Sequence, residues 1–348
     1  MKILFHFIHP SKFHLFKNLI NKLIKNGHEV DVTIITKDVV EDLVIEEGWN
    51  YTNIFKEGRK IPGIPIYLSA VINLFRTIFR LYRHTMGKKY DLFFTDDLLG
   101  IIGKIRRIKT YHFTDDHLNA IPEQFVMFLF ADKIITPSCV NLGFFSNKQI
   151  KFDGIKQSAY LHPNYFNPNP QIIKKLKLQN DRFFLIRLVS LKATHDVGKK
   201  GITDDYLRLL IKLLSQYGSV KIVSERDIPS DLKKFEIKIN SSEILNVIYY
   251  SDLFIGDSQT MCAEAGFLGV PFIWYSHFYK NVCYLELLID KYKLGYQINL
   301  NNFKSVMSIS EDIVRDPNYK NQNLEKRKKL IRDTIDLTDF MFEQINIM

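Results

Sequence analysis

The sequence predicts an α/β protein made of two Rossmann-like parallel α/β/α domains facing a cleft. Three observations carry this expectation. Short apolar runs alternate with amphipathic stretches of helical period along most of the chain. A stretch rich in proline and asparagine, KFDGIKQSAYLHPNYFNPNP at 151–170, breaks that alternation near the middle. The chain of 348 residues is also too long for one ordinary core. The expected layout is a first domain over 1–155, a crossover over 156–170 and a second domain over 171–320. A C-terminal helix over 321–348 would pack back on the first domain.

The first domain opens with a buried strand at 2–8, apolar on both faces as in a central parallel strand. The helix after it carries a stripe of Phe13, Phe16, Leu19, Ile20, Leu23 and Ile24, and Asn26-Gly27 stops it. A second strand at 30–35 completes a β-α-β unit. The turn lacks G-x-G-x-x-G and carries His9 instead, with Lys12 and His14 just beyond. His9 is a candidate catalytic group, since clefts form at the carboxyl ends of parallel strands. A helix at 38–48 and a short strand at 49–54 follow.

Residues 71–90 read VINLFRTIFRLYRHTMGKKY, with Leu74, Phe75, Ile78, Phe79, Leu81 and Tyr82 at helical spacing. Arg76, Arg80, Arg83, Lys88 and Lys89 supply charge, a pattern that suits an interfacial helix on an anionic membrane surface. A strand at 91–95 ends in Asp96-Asp97, and one at 109–114 ends in Asp115-Asp116. Each pair is expected to hold one helix cap and one cleft-facing carboxylate suited to acid/base work. Pro122 begins a helix with Glu123 in its first turn, 131–136 forms a strand, and Pro137-Ser138 starts another helix.

The second domain repeats the alternation. A strand at 183–188 leads into a polar loop at 190–202 holding His195, Asp196, Lys199 and Lys200, an expected anion or catalytic site. A helix at 203–216, a strand at 219–223 and a helix at 244–250 follow, the last with an Asn240–Glu243 capping box. The stretch FIGDSQTMCAEAGFLGVPFIWYS at 254–276 then gives strand, polar turn, small-residue helix and strand. Ser258, Gln259 and Thr260 open its helix, with amides and hydroxyls suited to a diphosphate. Glu264 lies one turn after Thr260, placed for a ribose diol. Helices at 279–290 and 303–316 and a basic helical tail at 324–347 close the chain.

Composition narrows the function classes. Hydrophobic content of 46% with mixed charge describes a globular chain, and the formal charge of +10 asks for an anionic partner. Nucleic acid is not expected, because zinc spacing, an RNP motif and a recognition-helix pattern are all missing. Cys139, Cys262 and Cys283 lack C-x-x-C spacing, which suits a reducing compartment and leaves no metal site expected. The opening MKILFHFIHP reads as a buried strand and not as a secretory signal. No apolar run approaches the ~18 residues of a spanning helix. The expected place is the cytoplasm, with peripheral attachment to the inner face of the cytoplasmic membrane.

The segments MKILFHFIHPSKFHLFKNLINKLIKNGHEV, TDDHLNAIPEQF, LVSLKATHDVGKKGI, SERDIP and GDSQTMCAEAGFLGVPF, in that order, resemble the DUF354 family. That family is similar to the non-hydrolysing UDP-N-acetylglucosamine 2-epimerases and to the GT-B glycosyltransferases. The resemblance implies a GT-B-like fold with an acceptor-side first domain and a nucleotide-sugar-binding second domain. It implies that Ser258 and Glu264 match the serine and the ribose-binding glutamate of the epimerases' DSGG-x-Q-E-E segment, with Gln259 and Thr260 in place of its two glycines. It places His195 beside the diphosphate, with Lys199 in the same loop. Asp96, Asp115 or Asp116, and Glu123 fall where the epimerases carry three acidic catalytic residues. The epimerases' N-terminal GTRPE turn is replaced by IHPSK.

Two enzyme classes follow. The first is a metal-independent glycosyltransferase using a nucleotide-diphosphate sugar, UDP-linked, in surface polysaccharide or glycolipid assembly. Its partners would be the nucleotide sugar and a lipid-linked or polysaccharide acceptor, with no cofactor. The second is a sugar-nucleotide epimerase. A non-enzymatic basic protein that binds lipid or RNA is the third class.

Overall fold

The computed structural model describes residues 1–36, 39–57, 63, 65–179, 182–190, 201–276 and 282–347, apart from the side chains of Ile66, Tyr67 and Glu123. The chain divides into two compact units, Met1–Tyr160 with Ile335–Met348, and Leu161–Thr334.

In the first unit, β1 (Lys2–Phe7), β2 (Glu29–Ile34), β3 (Tyr51–Asn53), β4 (Leu92–Thr95), β5 (Lys109–Phe113), β6 (Lys133–Pro137) and β7 (Gln149–Phe152) form a parallel sheet. The order is β3-β2-β1-β4-β5-β6-β7. Phe5 of β1 pairs in register with Val32 on one side and Phe94 on the other. Its ring stacks on Phe94 at 5.3 Å, and Phe16 of the Pro10–Lys25 helix meets Phe94 edge-on at 5.2 Å. These aromatic contacts press the helix onto the sheet and fix where its N-terminus begins. The helix buries the expected stripe, with Leu15 added and Ile24 left exposed.

The tail is two helices and not one. Tyr319–Asp333 belongs to the second unit, while Leu337–Asn346 packs on the Pro10–Lys25 helix in the first. Lys22 and Asp339 join them at 2.5 Å, and Thr338 donates to the Ala159 carbonyl at 2.9 Å. Two further expectations fail nearby. No helix starts at Pro137; the chain runs through the short 3-10 helix Gly143–Lys148 into β7. The short helix Ser158–Leu161 lies inside the stretch read as crossover.

In the second unit, β8 (Phe183–Leu188), β9 (Ser219–Ser224), β10 (Leu253–Gly256), β11 (Phe272–Ser276) and β12 (Gly295–Asn299) are parallel in the order β12-β11-β10-β8-β9. The expected capping box is not made. Glu243 gives no side-chain cap to the Ile244–Tyr250 helix, and its carboxylate pairs with Lys175 at 3.1 Å.

The Gln259–Leu268 helix sits close on its sheet because its inner face is small. A Cβ at Gly266 would lie 2.6 Å from the Phe272 ring, so only glycine permits that approach. Gly269 ends the helix in the left-handed region at φ 79°.

Each sheet reverses its winding once, between β1 and β4 in the first unit and between β8 and β10 in the second. Open α/β sheets bind ligands beside such reversals, at the carboxyl ends of the strands.

Candidate functional site

The first reversal gathers titratable groups from four loops. Lys12 stands in the first turn of the Pro10–Lys25 helix, its cation 5.0 Å over the Phe113 ring and 3.6 Å from Asp115 Oδ1. Lys156 approaches the other oxygen of Asp115 at 2.7 Å, and all but the edges of both side chains are buried. Burial by itself would raise the Asp115 carboxyl; Lys156 and Lys12 reverse that and hold it below the usual carboxylate range. Asp115 is therefore clamped as an anion. Its neighbour Asp116 is pushed up by burial and by the Asp115 charge.

Asp96 is the opposite case. Burial pushes its carboxyl up to about 6, with Lys12 opposing and Asp97 adding. Its Oδ1 is buried and makes no hydrogen bond. A carboxylate with a pKa near neutrality and an uncommitted oxygen is suited to take a proton from an incoming hydroxyl. Burial lowers His112 to about 3, with Lys12 acting in the same direction, so its ring is neutral. Lys12 thus acts electrostatically on Asp96, His112, Asp115 and Asp116 alike.

Behind these groups lies His6 of β1, fully buried. Its Nδ1 is 3.1 Å from both the Thr33 carbonyl and Thr33 Oγ1. A carbonyl only accepts, so Nδ1 is the donor and Nε2 is turned to Asp97, 3.5 Å away. Thr95 Oγ1 donates to the His6 carbonyl and accepts from the Asp97 amide, which fixes the start of the Asp96-Asp97 loop. Neither aspartate pair supplies the expected helix cap. The Leu99–Arg106 helix is preceded by Leu98 with no side-chain cap, and the turn after β5 is preceded by His117, also without one. Asp97 lies instead 3.5 Å from His6 Nε2, and Asp115 is held by two lysines.

The remaining first-domain candidates are placed as follows. His9 caps the Pro10–Lys25 helix, its Nδ1 accepting from the Ser11 amide at 3.3 Å. His14 packs on Tyr160 at 5.5 Å, and burial lowers it to about 4; it does not join the Lys12 group. Glu123 lies in the 3-10 helix Pro122–Gln124, with its side chain outside the described residues.

The second reversal is built differently. Ser258 caps the Gln259–Leu268 helix, its Oγ accepting from the Met261 amide at 3.4 Å. Gln259 donates its side-chain amide to the Tyr284 hydroxyl at 2.7 Å, which holds it at the mouth of the helix. Thr260 is half-buried one residue on. Glu264 is 6% exposed, which excludes a merely solvated carboxylate. Asp257 ties the loops after β8 and β10 together, its Oδ1 accepting from the Val189 amide at 2.8 Å. Its Oδ2 is buried without a partner, and burial pushes the carboxyl up to about 6. Arg187, at the end of β8, donates to Met261 Sδ and pairs with Glu225, so the helix is braced from the sheet side. His195, Asp196, Lys199 and Lys200 lie outside the described residues.

Sequence reading missed His6, His112, Lys156, Asp257 and Arg187 as members of these sites. Asp257 stood next to Ser258 in the motif and was legible there. His6 and His112 are single polar residues within apolar strands, a signal that was present. Lys156 carries no local signal, since it meets Asp115 only through the fold. Among the described residues no group of three His, Cys, Asp or Glu side chains is arranged to hold a metal ion.

Comparison with known proteins agrees with this architecture. The chain is 26% identical over 352 residues to Uncharacterized protein MJ0665 of Methanocaldococcus jannaschii, covering 95% of this chain and 94% of that protein. The spinosyn forosaminyltransferase SpnP superposes with a TM-score of 0.67 at 14% identity, covering 100% of this chain and 99% of that one. The UDP-GlcNAc 2-epimerase of Neisseria meningitidis, solved with UDP-GlcNAc bound, gives 0.61 at 12% identity, covering 94% and 100%. Two parallel sheets with flanking helices and these neighbours make the fold GT-B. The model of one family, "Protein of unknown function (DUF354)", matches residues 1–347, and this chain belongs to that family.

Proposed function

We propose that this protein is a glycosyltransferase that uses a nucleotide-diphosphate sugar, UDP-linked, without a metal. The second unit would hold the donor. The amides at the start of the Gln259–Leu268 helix, with Ser258, Gln259 and Thr260, face the diphosphate, and the helix dipole favours the negative charge that builds on it as it leaves. Glu264 would meet the ribose. Lys199 and His195 would complete the diphosphate pocket.

The first unit would supply the acid/base chemistry. Asp96 takes the proton of the acceptor hydroxyl. The acceptor oxygen then forms its bond to the anomeric carbon, and the bond from that carbon to the diphosphate oxygen breaks, its electron pair leaving with UDP. Lys12 balances the charge near Asp96 and Asp115. The observation that carries this reading is the Asp96 carboxyl, raised to about 6 with one oxygen uncommitted, under the same Lys12 that helps hold Asp115 as an anion. One proton acceptor and one fixed anion around a shared lysine suit one-way deprotonation of an alcohol. The setting this reading favours is surface polysaccharide or glycolipid assembly, with a lipid-linked or polysaccharide acceptor and an enzyme held at the inner face of the cytoplasmic membrane.

A second reading rests on a specific feature. Asp96 and Asp116 are both raised, and two such carboxyls could remove and return the proton beside the anomeric carbon, as an epimerase requires. One experiment separates the two. The full-length protein is incubated with UDP-N-acetylglucosamine in deuterium oxide, with and without a membrane lipid extract. Release of UDP with the C2 proton retained, stimulated by the extract, supports transfer. Exchange at C2 supports epimerisation. Neither release nor exchange, together with no thermal stabilisation by UDP, GDP or CMP, overturns both.

A further inference from the structure

The Ile66–Thr85 helix of the first unit is apolar on two sides. Its inner face buries Asn73, Thr77, Leu81 and Thr85, with Ile78 packed against the same core as Leu81. Its outer face carries Leu68, Val71, Phe75, Phe79, Tyr82 and, just past its end, Met86, all exposed. Phe75 is 65% exposed and Phe79 is 63% exposed. These positions recur every three or four residues and form one stripe. A helix that buries threonine and asparagine while leaving two phenylalanines in water has its apolar face set for something outside this unit. The neighbouring Leu99–Arg106 helix, packed against it, exposes Ile105.

Charge identifies the occupant. The Ile66–Thr85 helix contains no carboxylate. Arg76 and Arg80 share the single carboxylate of Glu57, at 2.9 and 2.6 Å, and both lie over the Phe55 ring, so their charge is partly compensated within this unit. Arg83 and Lys89 are exposed beside the stripe. A second copy docked on this face about a two-fold axis would set basic residues against basic residues, with no acidic partner on the helix. An anionic bilayer surface offers both an apolar layer and matching charge. No described helix is long and apolar enough to cross a membrane, so attachment would be along the surface.

We infer that the Ile66–Thr85 helix lies in the interface of an anionic membrane, with Phe75 and Phe79 inserted among the acyl chains and Arg83 and Lys89 at the headgroups. This deepens the membrane setting of the proposed function, and its test reads lipid binding alone, so the two can fail separately. Full-length protein is sedimented with vesicles of phosphatidylcholine alone and of phosphatidylcholine with phosphatidylglycerol. The wild type should bind the mixed vesicles and release with salt. Phe75→Ser/Phe79→Ser should weaken that binding roughly a hundredfold. Arg83→Glu/Lys89→Glu should weaken it by roughly tenfold or more and flatten the salt dependence. All four positions are exposed, and circular dichroism together with retained UDP binding checks that the variants fold. Failure of the wild type to bind either vesicle overturns the inference, as does unchanged binding by the phenylalanine variant. A dimer in sedimentation velocity that the phenylalanine variant disperses, without vesicle binding, assigns the face to a second copy and overturns it too.

Discussion

The two sheet reversals share a topology and differ in chemistry. At the first, between β1 and β4, charge is dense: Lys12, Lys156, Asp96, Asp97, Asp115 and two buried histidines act on one another. At the second, between β8 and β10, the helix opens with a serine, a glutamine and a threonine, with Asp257 serving as a tie between loops. Charge that is mutually compensated is suited to moving protons. A helix mouth lined by serine, glutamine and threonine, with a dipole behind it, is suited to holding an anion.

The comparison breaks most easily at the buried ion pair. Asp115→Asn removes the carboxylate that lies 2.7 Å from buried Lys156, and unfolding free energy should fall by about 3 kcal/mol in urea titration. The matching change at the other reversal, Asp257→Asn, keeps an acceptor for the Val189 amide and should cost about 1 kcal/mol or less. Equal losses would mean that the two ends are built alike.

Asp96→Asn should lower turnover by roughly 10²–10⁴ while leaving nucleotide affinity unchanged, since Asp96 touches no donor group in this assignment. The wild-type rate should rise with pH through about 6 as Asp96 loses its proton, and the variant should lack that limb. An unchanged limb would move the base elsewhere.

Ser258→Ala removes the helix cap and, in the proposed assignment, one diphosphate contact. UDP affinity should drop roughly tenfold, with about 1 kcal/mol of stability lost. Turnover at saturating donor should change little, the reverse of the Asp96 pattern.

The smallest effect is in the pH dependence of stability. Asp257 has its folded pKa raised from 3.8 to about 6, so the stability linked to it is fully present below 3.8 and is lost as pH rises to about 6. His112 is lowered from 6.5 to about 3, so its contribution is present above 6.5 and is lost as pH falls through that range. The two windows overlap between 3.8 and about 6 with opposite slopes, so Asp257→Asn should make stability rise more steeply with pH there and leave the range below 3.8 unchanged.

The central strands were legible because burial on both faces writes them as continuous apolar runs, as in LFF of β4 and FFLI of β8. Strands β7 and β12, QIKF and GYQIN, were not. They are the outer strands of their sheets and half-exposed, so they carry Gln, Lys and Asn that read as loop. The tail read as one helix because both its helices are amphipathic, and the break at Thr334–Asp336 contains neither glycine nor proline. Of the site, the Ser258 cap and the aspartate pairs were legible as local motifs. The Asp115–Lys156 pair joins positions 41 residues apart, and nothing in either neighbourhood announces the other. The partners of Arg76 and Arg80 were hidden in the same way, because Glu57 and Phe55 precede the helix in the chain.

The central claim is that the second unit holds a nucleoside diphosphate at the Gln259–Leu268 helix. Isothermal titration of the full-length protein with UDP, repeated with Ser258→Ala and with Asp115→Asn, tests it most directly. The account predicts saturable UDP binding that weakens roughly tenfold in the Ser258 variant and holds in the Asp115 variant wherever that variant is folded. Absence of binding by UDP, GDP and CMP alike, or a loss of UDP affinity in the folded Asp115 variant with none in the Ser258 variant, would contradict it.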